Sequence, residues 1–148
     1  MEFNGKIGAI QQQLSGATNI GVIRRQAILK ELSLEKGQTI VDIGCGGGHL
    51  VEEISLSIGA DGKAIGVDTS EFQINSAIEK CKHLSNVEFL CCNANAVTIE
   101  DSSCDSVTFT QTLEYIDNVD EVLKEAKRLQ KSNSKFVNIS TLWDYFGF

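Results

Sequence analysis

Five short runs rich in β-branched or aromatic residues, at 39–43, 63–67, 87–91, 106–110 and 135–140, alternate with longer segments of helical periodicity, and few topologies accommodate that order. The apolar residues between the runs form single stripes: Leu50, Val51, Ile54 and Ile58; then Ile74, Ala77, Ile78 and Cys81; then Val119, Val122, Leu123, Ala126 and Leu129. Strands separated by helices of about a dozen residues cannot close hairpins. They pair in parallel through right-handed crossovers, which places helices on both faces of the sheet. The predicted fold class is α/β, a doubly wound parallel sheet with five strands present.

Helix starts are marked by Ser70 with Gln73 and by Asn118 with Glu121, the spacing of a capping box. Residues 20–32 are good helix formers whose apolar side chains surround most of the helix, so this helix is expected to be covered on more than one side. Residues 93–103 are mostly polar and aperiodic, and are expected to be a loop. The 148 residues have room for one domain. It divides into an amino-terminal extension at 1–19, a leading helix at 20–34, a core at 39–140 and an aromatic tail at 141–148.

Thirteen Lys and Arg against twenty Asp and Glu give a net charge of -7, which opposes a sequence-independent grip on nucleic acid. The longest uncharged run, 7–23, is interrupted by three glutamines and further polar residues, so no membrane span is expected. The first residues lack the charged and apolar regions of a secretory signal, and a cytoplasmic location follows by default. The cysteines at 45, 81, 91, 92 and 104 are odd in number and lack C-x-x-C spacing, which fits a reducing compartment and argues against a disulfide framework or a metal site. Proline is absent, so turns rest on Gly, Asn, Asp and Ser.

The first strand runs directly into Gly44, Cys45, Gly46, Gly47, Gly48 and His49 before the next helix. Glycines between a strand and a helix permit a tight turn and bring helix-terminal amides close to a ligand, which implies a nucleotide-like molecule. A dinucleotide fingerprint requires Gly or Ala where His49 stands. Asp42, two residues before the first glycine, brings a carboxylate that suits a cation better than a pyrophosphate.

The stretch VDIGCGGG at 41–48 resembles the first motif of the class I S-adenosylmethionine-dependent methyltransferases, within them the ubiquinone and menaquinone biosynthesis group, and GVDTS at 66–70 resembles the second-strand motif. FLCCNA at 89–94 stands where that family has an apolar run ending in Gly-Asp-Ala, with Cys92 for the Gly and Asn93 for the Asp. Residues 103–107 and 111–116 resemble its fourth-strand region. LQKSNS at 129–134 replaces a Leu-Lys-Pro-Gly-Gly turn and has lost the Pro and both Gly. The resemblance covers residues 20–140 and implies a Rossmann-like fold with S-adenosylmethionine as cofactor. It implies that Gly44, Gly46 and Gly48, with Cys45 among them, shape the methionine and ribose pocket, and that Asp42 lies near the cofactor's charged part. It implies too that Asp68, beside Thr69, accepts the ribose hydroxyls, that Asn93 and Ala94 flank the adenine, and that Gln111 and Leu113 line the methionine end.

The function expected is methyl transfer to a small-molecule acceptor by in-line displacement. No catalytic residue is assigned; Glu114, Tyr115 and His49 are candidate bases by position alone. The alternatives are a nicotinamide-dependent oxidoreductase, disfavoured by His49 and Asp42, and a non-catalytic cofactor-binding fragment that needs a partner. The family resembled completes a seven-stranded sheet, whereas four aromatics fill 143–148 just past the fifth run. A core lacking its carboxyl-terminal strands is therefore expected, with strand five an exposed edge through which the chain self-associates.

Overall fold

A computed structural model describes Ile7, Ile10 and residues 17–140. In chain order the elements are α1 (Asn19–Leu32), β1 (Thr39–Ile43), α2 (His49–Ile58), β2 (Lys63–Asp68), α3 (Glu71–Cys81), β3 (Val87–Cys91), β4 (Cys104–Thr110), a 3-10 turn (Leu113–Tyr115), α4 (Val119–Leu129) and β5 (Gln130–Ile139). The five strands form one parallel sheet in the order β3-β2-β1-β4-β5. The chain winds outward from β1 to β3, then crosses back to place β4 on the other side of β1. The fold is α/β, Rossmann-like and doubly wound.

Period-two alternation sorts the strand residues onto two faces. Val41, Ile43, Ile65, Val67, Val107 and Phe109 meet Val122, Ala126 and Leu129 of α4. On the opposite face Ile40 and Ala64 meet Ile28 and Leu32 of α1, the stripe of α2 and Ile74 of α3. Among the described residues, three helices therefore cover one face and α4 the other.

Several boundaries differ from the sequence expectation. β4 starts at Cys104 rather than 106, and β5 starts at Gln130 rather than 135, because Gln130 pairs with Cys104 before the register shifts to Ser106 with Lys135. Asn133, with φ of +62°, lies in this irregular segment. Helix α1 is present, capped by Thr18, whose hydroxyl accepts the Gly21 amide at 3.3 Å. It is not covered on more than one side among the described residues: Ile20 and Ile23 are 61% and 63% exposed. Ser70 caps α3 by accepting the Gln73 amide, but Asn118 makes no side-chain cap and donates instead to the Glu121 carboxylate at 2.7 Å. Residues 93–103 contain no helix or strand. No helix among the described residues is long and apolar enough to cross a membrane, and the aromatic tail at 141–148 lies outside them.

Candidate functional site

The carboxyl ends of β1, β2 and β4 open on a cleft of 1240 Å³. It lies where the strand order reverses, between β1 and β4, the place where open α/β sheets receive ligands. The 44–48 loop supplies one wall. The amides of Gly44 and Cys45 both donate to the Val67 carbonyl, at 2.7 and 2.9 Å, and tie the loop to the end of β2. Gly44 has φ of +79°, and a Cβ there would sit 2.2 Å from Thr112 Oγ1, so only glycine lets the segment after β4 close over the loop. Gly48, at φ of +84°, starts α2 without a side-chain cap, and a Cβ there would meet the Cβ of Ala77 at 2.9 Å. The first amides of α2, at His49 and Leu50, lie at the cleft without intrahelical acceptors.

Two carboxylates face this loop. Asp68, half-buried at the end of β2, is fixed from both sides: its Oδ2 accepts the Gly46 amide at 3.0 Å and its Oδ1 the Ser70 amide at 2.9 Å. Each oxygen keeps capacity for a further donor. Asp42 lies in register between Gly66 and Thr108, is 2% exposed, and has a buried Oδ1 with no hydrogen-bond partner. Burial, and then the charge of Asp68, push its pKa up to about 8, which favours the protonated acid at neutral pH. Burial, with Lys80 and Arg25 adding, pulls His49 down to about 4, and its imidazole is neutral. The Nε2 of His49 and the hydroxyls of Thr108 and Thr110 are likewise buried without partners. Such groups cost free energy unless a ligand or solvent completes them.

Asp42, Gly44, Cys45, Asp68, Thr69, Asn93, Ala94 and Gln111 line the cleft; Gly46, Gly48 and Leu113 do not. Gly46 acts through its amide on Asp68, Gly48 lets α3 approach the loop, and Leu113 packs with Ile116 on the hydrophobic layer below. Of the residues considered as bases, His49 and Tyr115 line the cleft and Glu114 does not. Burial first, then Asp42 and Asp68, push the Cys45 thiol well above the ordinary range, which disfavours the thiolate. One wall is absent from the sequence reading: Thr18, Ile20, Gly21, Arg24 and Arg25 at the start of α1. Arg25 is held there by Glu53, Nε to Oε1 at 2.9 Å. Two adjacent arginines on one helix of an acidic chain were the available signal.

A family model for the methyltransferase domain matches residues 34–143. The chain belongs to the methyltransferase domain family. This methyltransferase domain is 36% identical over 119 residues to the demethylmenaquinone methyltransferase of Lactococcus lactis subsp. lactis (strain IL1403), a match covering 79% of this chain and 47% of that protein. The chain spans about half the length of the curated relatives it matches. It superposes with a TM-score of 0.74 and 30% identity on a SAM dependent methyltransferase from Aquifex aeolicus, over 78% of this chain and 63% of that one. A Methanococcus maripaludis protein gives a TM-score of 0.78 over 93% of this chain and 66% of its own at 20% identity, a likeness of fold alone.

Membership in this family makes S-adenosylmethionine the cofactor of the methyltransferase domain. The donor set fits it: an unpartnered buried acid suits a cation, and a fixed carboxylate with spare acceptor capacity suits vicinal hydroxyls.

Proposed function

We propose that the domain binds S-adenosylmethionine in this cleft and catalyses methyl transfer to a small-molecule acceptor by in-line displacement. The observation that carries the reading is the Asp68 carboxylate, fixed by the amides of Gly46 and Ser70 at the cleft wall where the motif resemblance places a ribose clamp. When bound, the cofactor supplies a sulfonium-activated methyl group, whose departure leaves a neutral thioether. The chain's own work is binding, alignment and exclusion of water. Asp68 and Thr69 hold the ribose, Asn93 and Ala94 flank the base, and Asp42 under Gly44 faces the positive part. Cys45 and Gln111 line the cleft around it, while Gly46, Gly48 and Leu113 support these walls from behind. His49 and Tyr115 stand at the cleft for an acceptor that must lose a proton, with burial, which pulls His49 down to about 4, making its imidazole a weak base at neutral pH.

The volume of 1240 Å³ exceeds the range of about 300 to 1,000 Å³ usual for a single small-molecule site, which supports room for cofactor and acceptor together. The named activity of the curated relatives makes a quinone-type acceptor the first to test. Calorimetric titration with S-adenosylhomocysteine, NAD and NADP tests the cofactor: binding of the first alone is expected, and binding of a nicotinamide nucleotide alone overturns the reading. A methyl-transfer assay with demethylated quinone analogues tests the activity. The chain spans about half the length of its curated relatives, and a non-catalytic cofactor-binding unit that needs a partner is the second reading. Titration with no methyl transfer to any acceptor supports it. We place the protein in the cytoplasm on the five free cysteines, and infer self-association along the edge of β5 that is unpaired among the described residues.

A further inference from the structure

The link between β3 and β4, residues 92–103, carries Cys92, Asn93, Ala94 and Asn95 into the cleft yet has no helix or strand to hold it. Besides the Cys92 amide on the Asp68 carbonyl and the Ala96 amide on the Asn93 carbonyl, both at 3.1 Å, it is held by one face of α4. Glu125 Oε1 accepts the Val97 amide at 2.8 Å. Arg128 donates from Nη2 to the Val97 carbonyl and from Nη1 to the Ile99 carbonyl, both at 2.8 Å, and from Nη1 to the Asp101 carboxylate. Its Nε closes the set on Glu125 Oε2 at 2.9 Å. One turn earlier, Glu121 Oε2 accepts Asn95 Nδ2 at 3.1 Å. Positions 121, 125 and 128 share a face of the helix.

The side chain of Val97 is 4% exposed in the layer of Val107, Val122 and Ala126, so packing and hydrogen bonds converge on one residue of the link. Glu125 is 12% exposed, and its hydrogen bond from Arg128, then that from the Val97 amide, hold its carboxyl below the usual range. This is more than a surface ion pair, whose partners can separate at little cost. Losing Arg128 leaves the Val97 and Ile99 carbonyls without their donor and Glu125 without its guanidinium, and losing Glu125 leaves the Val97 amide without its acceptor. Neither Glu125 nor Arg128 lines the cleft.

We infer that Glu125 and Arg128 are positioning residues for nucleobase selection: by fixing the backbone of Val97 and Ile99 they set where the wall at 93–95 stands. The inference rests on the proposed reading in which that wall flanks adenine. A base read at its amino edge is told from a hydroxyl-bearing or keto base by polar groups held in place, and the discrimination is lost when those groups drift. The two residues therefore act on selectivity without touching the ligand.

The test compares S-adenosylhomocysteine with its 6-keto analogue S-inosylhomocysteine by calorimetry on the 148-residue chain. The native chain is expected to prefer the adenosyl compound, and Arg128→Met is expected to cut that preference by about tenfold, the worth of one well-placed hydrogen bond. Exchange of the amides at 93–97 should quicken in the same variant, and Arg128→Lys should recover only part of the preference. An unchanged preference in a folded variant overturns the inference. Where Arg128→Met shows no cooperative thermal transition, Glu125→Gln is read by the same criterion. Failure of the native chain to bind S-adenosylhomocysteine, or equal binding of both compounds, overturns the adenine reading itself, an outcome seen before any variant is made.

Discussion

At the scale of single residues, the two acids of the cleft do opposite things. Asp68 is an acceptor already in use, so its removal has two effects. Asp68→Ala should weaken S-adenosylhomocysteine by about 1.5 to 3 kcal/mol and also lower stability by about 1 kcal/mol, because the Gly46 and Ser70 amides lose their partner. Calorimetry and thermal melts on one preparation separate the effects, and unchanged affinity would refute the ribose assignment. Asp42 carries a folded-state pKa of about 8 against an ordinary value of 3.8. Its contribution to stability is whole below about 3.8 and is lost as pH rises through about 8. His49, at about 4 against 6.5, works in the other sense, since the unfolded chain takes up its proton first as pH falls. Between pH 6.5 and 8 only the Asp42 slope remains of the two. Asp42→Asn should flatten the fall in melting temperature across that window, and an identical slope in variant and native chain would show the acid to be ionised already. The sequence expectation that Asp42 supplies a negative charge is thus conditional in the structure: the acid awaits the cation that would draw its proton off.

At the scale of elements, strands β1 and β3 were legible end to end because each is a compact β-branched or aromatic run between turn residues. The first half of β5 was not, since Lys131, Ser132 and Asn133 are exposed on an edge strand and the strand's first pairing, Gln130 with Cys104, is to a residue far away in sequence. Helix α1 was placed correctly but its surroundings were not, because an apolar wheel says nothing about which side is covered. The same limit hid the wall made by Arg24 and Arg25: motif spacing reports the loop a ligand touches, not the helix that folds over it. Gly48 shows how one letter can be read for the wrong reason. It stands inside the glycine motif, yet its lack of a side chain serves the meeting of α2 and α3. Gly48→Ala, strained at positive φ and crowded by Ala77, should cost roughly 1 to 3 kcal/mol in denaturant unfolding. Little loss of stability would mean that α3 moves away freely.

On the scale of the whole molecule, the sheet ends in β5, whose outer edge is unpaired among the described residues. Phe136 on it is 41% exposed while its ring leans on Phe109 with centroids 5.4 Å apart. Sedimentation should show a concentration-dependent oligomer that Phe136→Lys shifts toward monomer, and a native chain that stays monomeric throughout would remove this edge as an interface. The central seam has another consequence. The pairs β1–β2 and β2–β3 join neighbours in sequence, but β1 meets β4 across a long stretch of chain, as in the bond from the Thr39 amide to Asp105 Oδ2 over 66 positions. Closing that larger loop carries the greater entropic cost, so the amino-terminal three-stranded unit is expected to assemble first and the cleft to form only when the second winding docks. In pulse-labelled refolding the amides of 106–109 should gain protection after those of 64–67. A ligand that spans β1, β2 and β4 then does more than occupy a finished protein: it holds shut the last seam that folding closes.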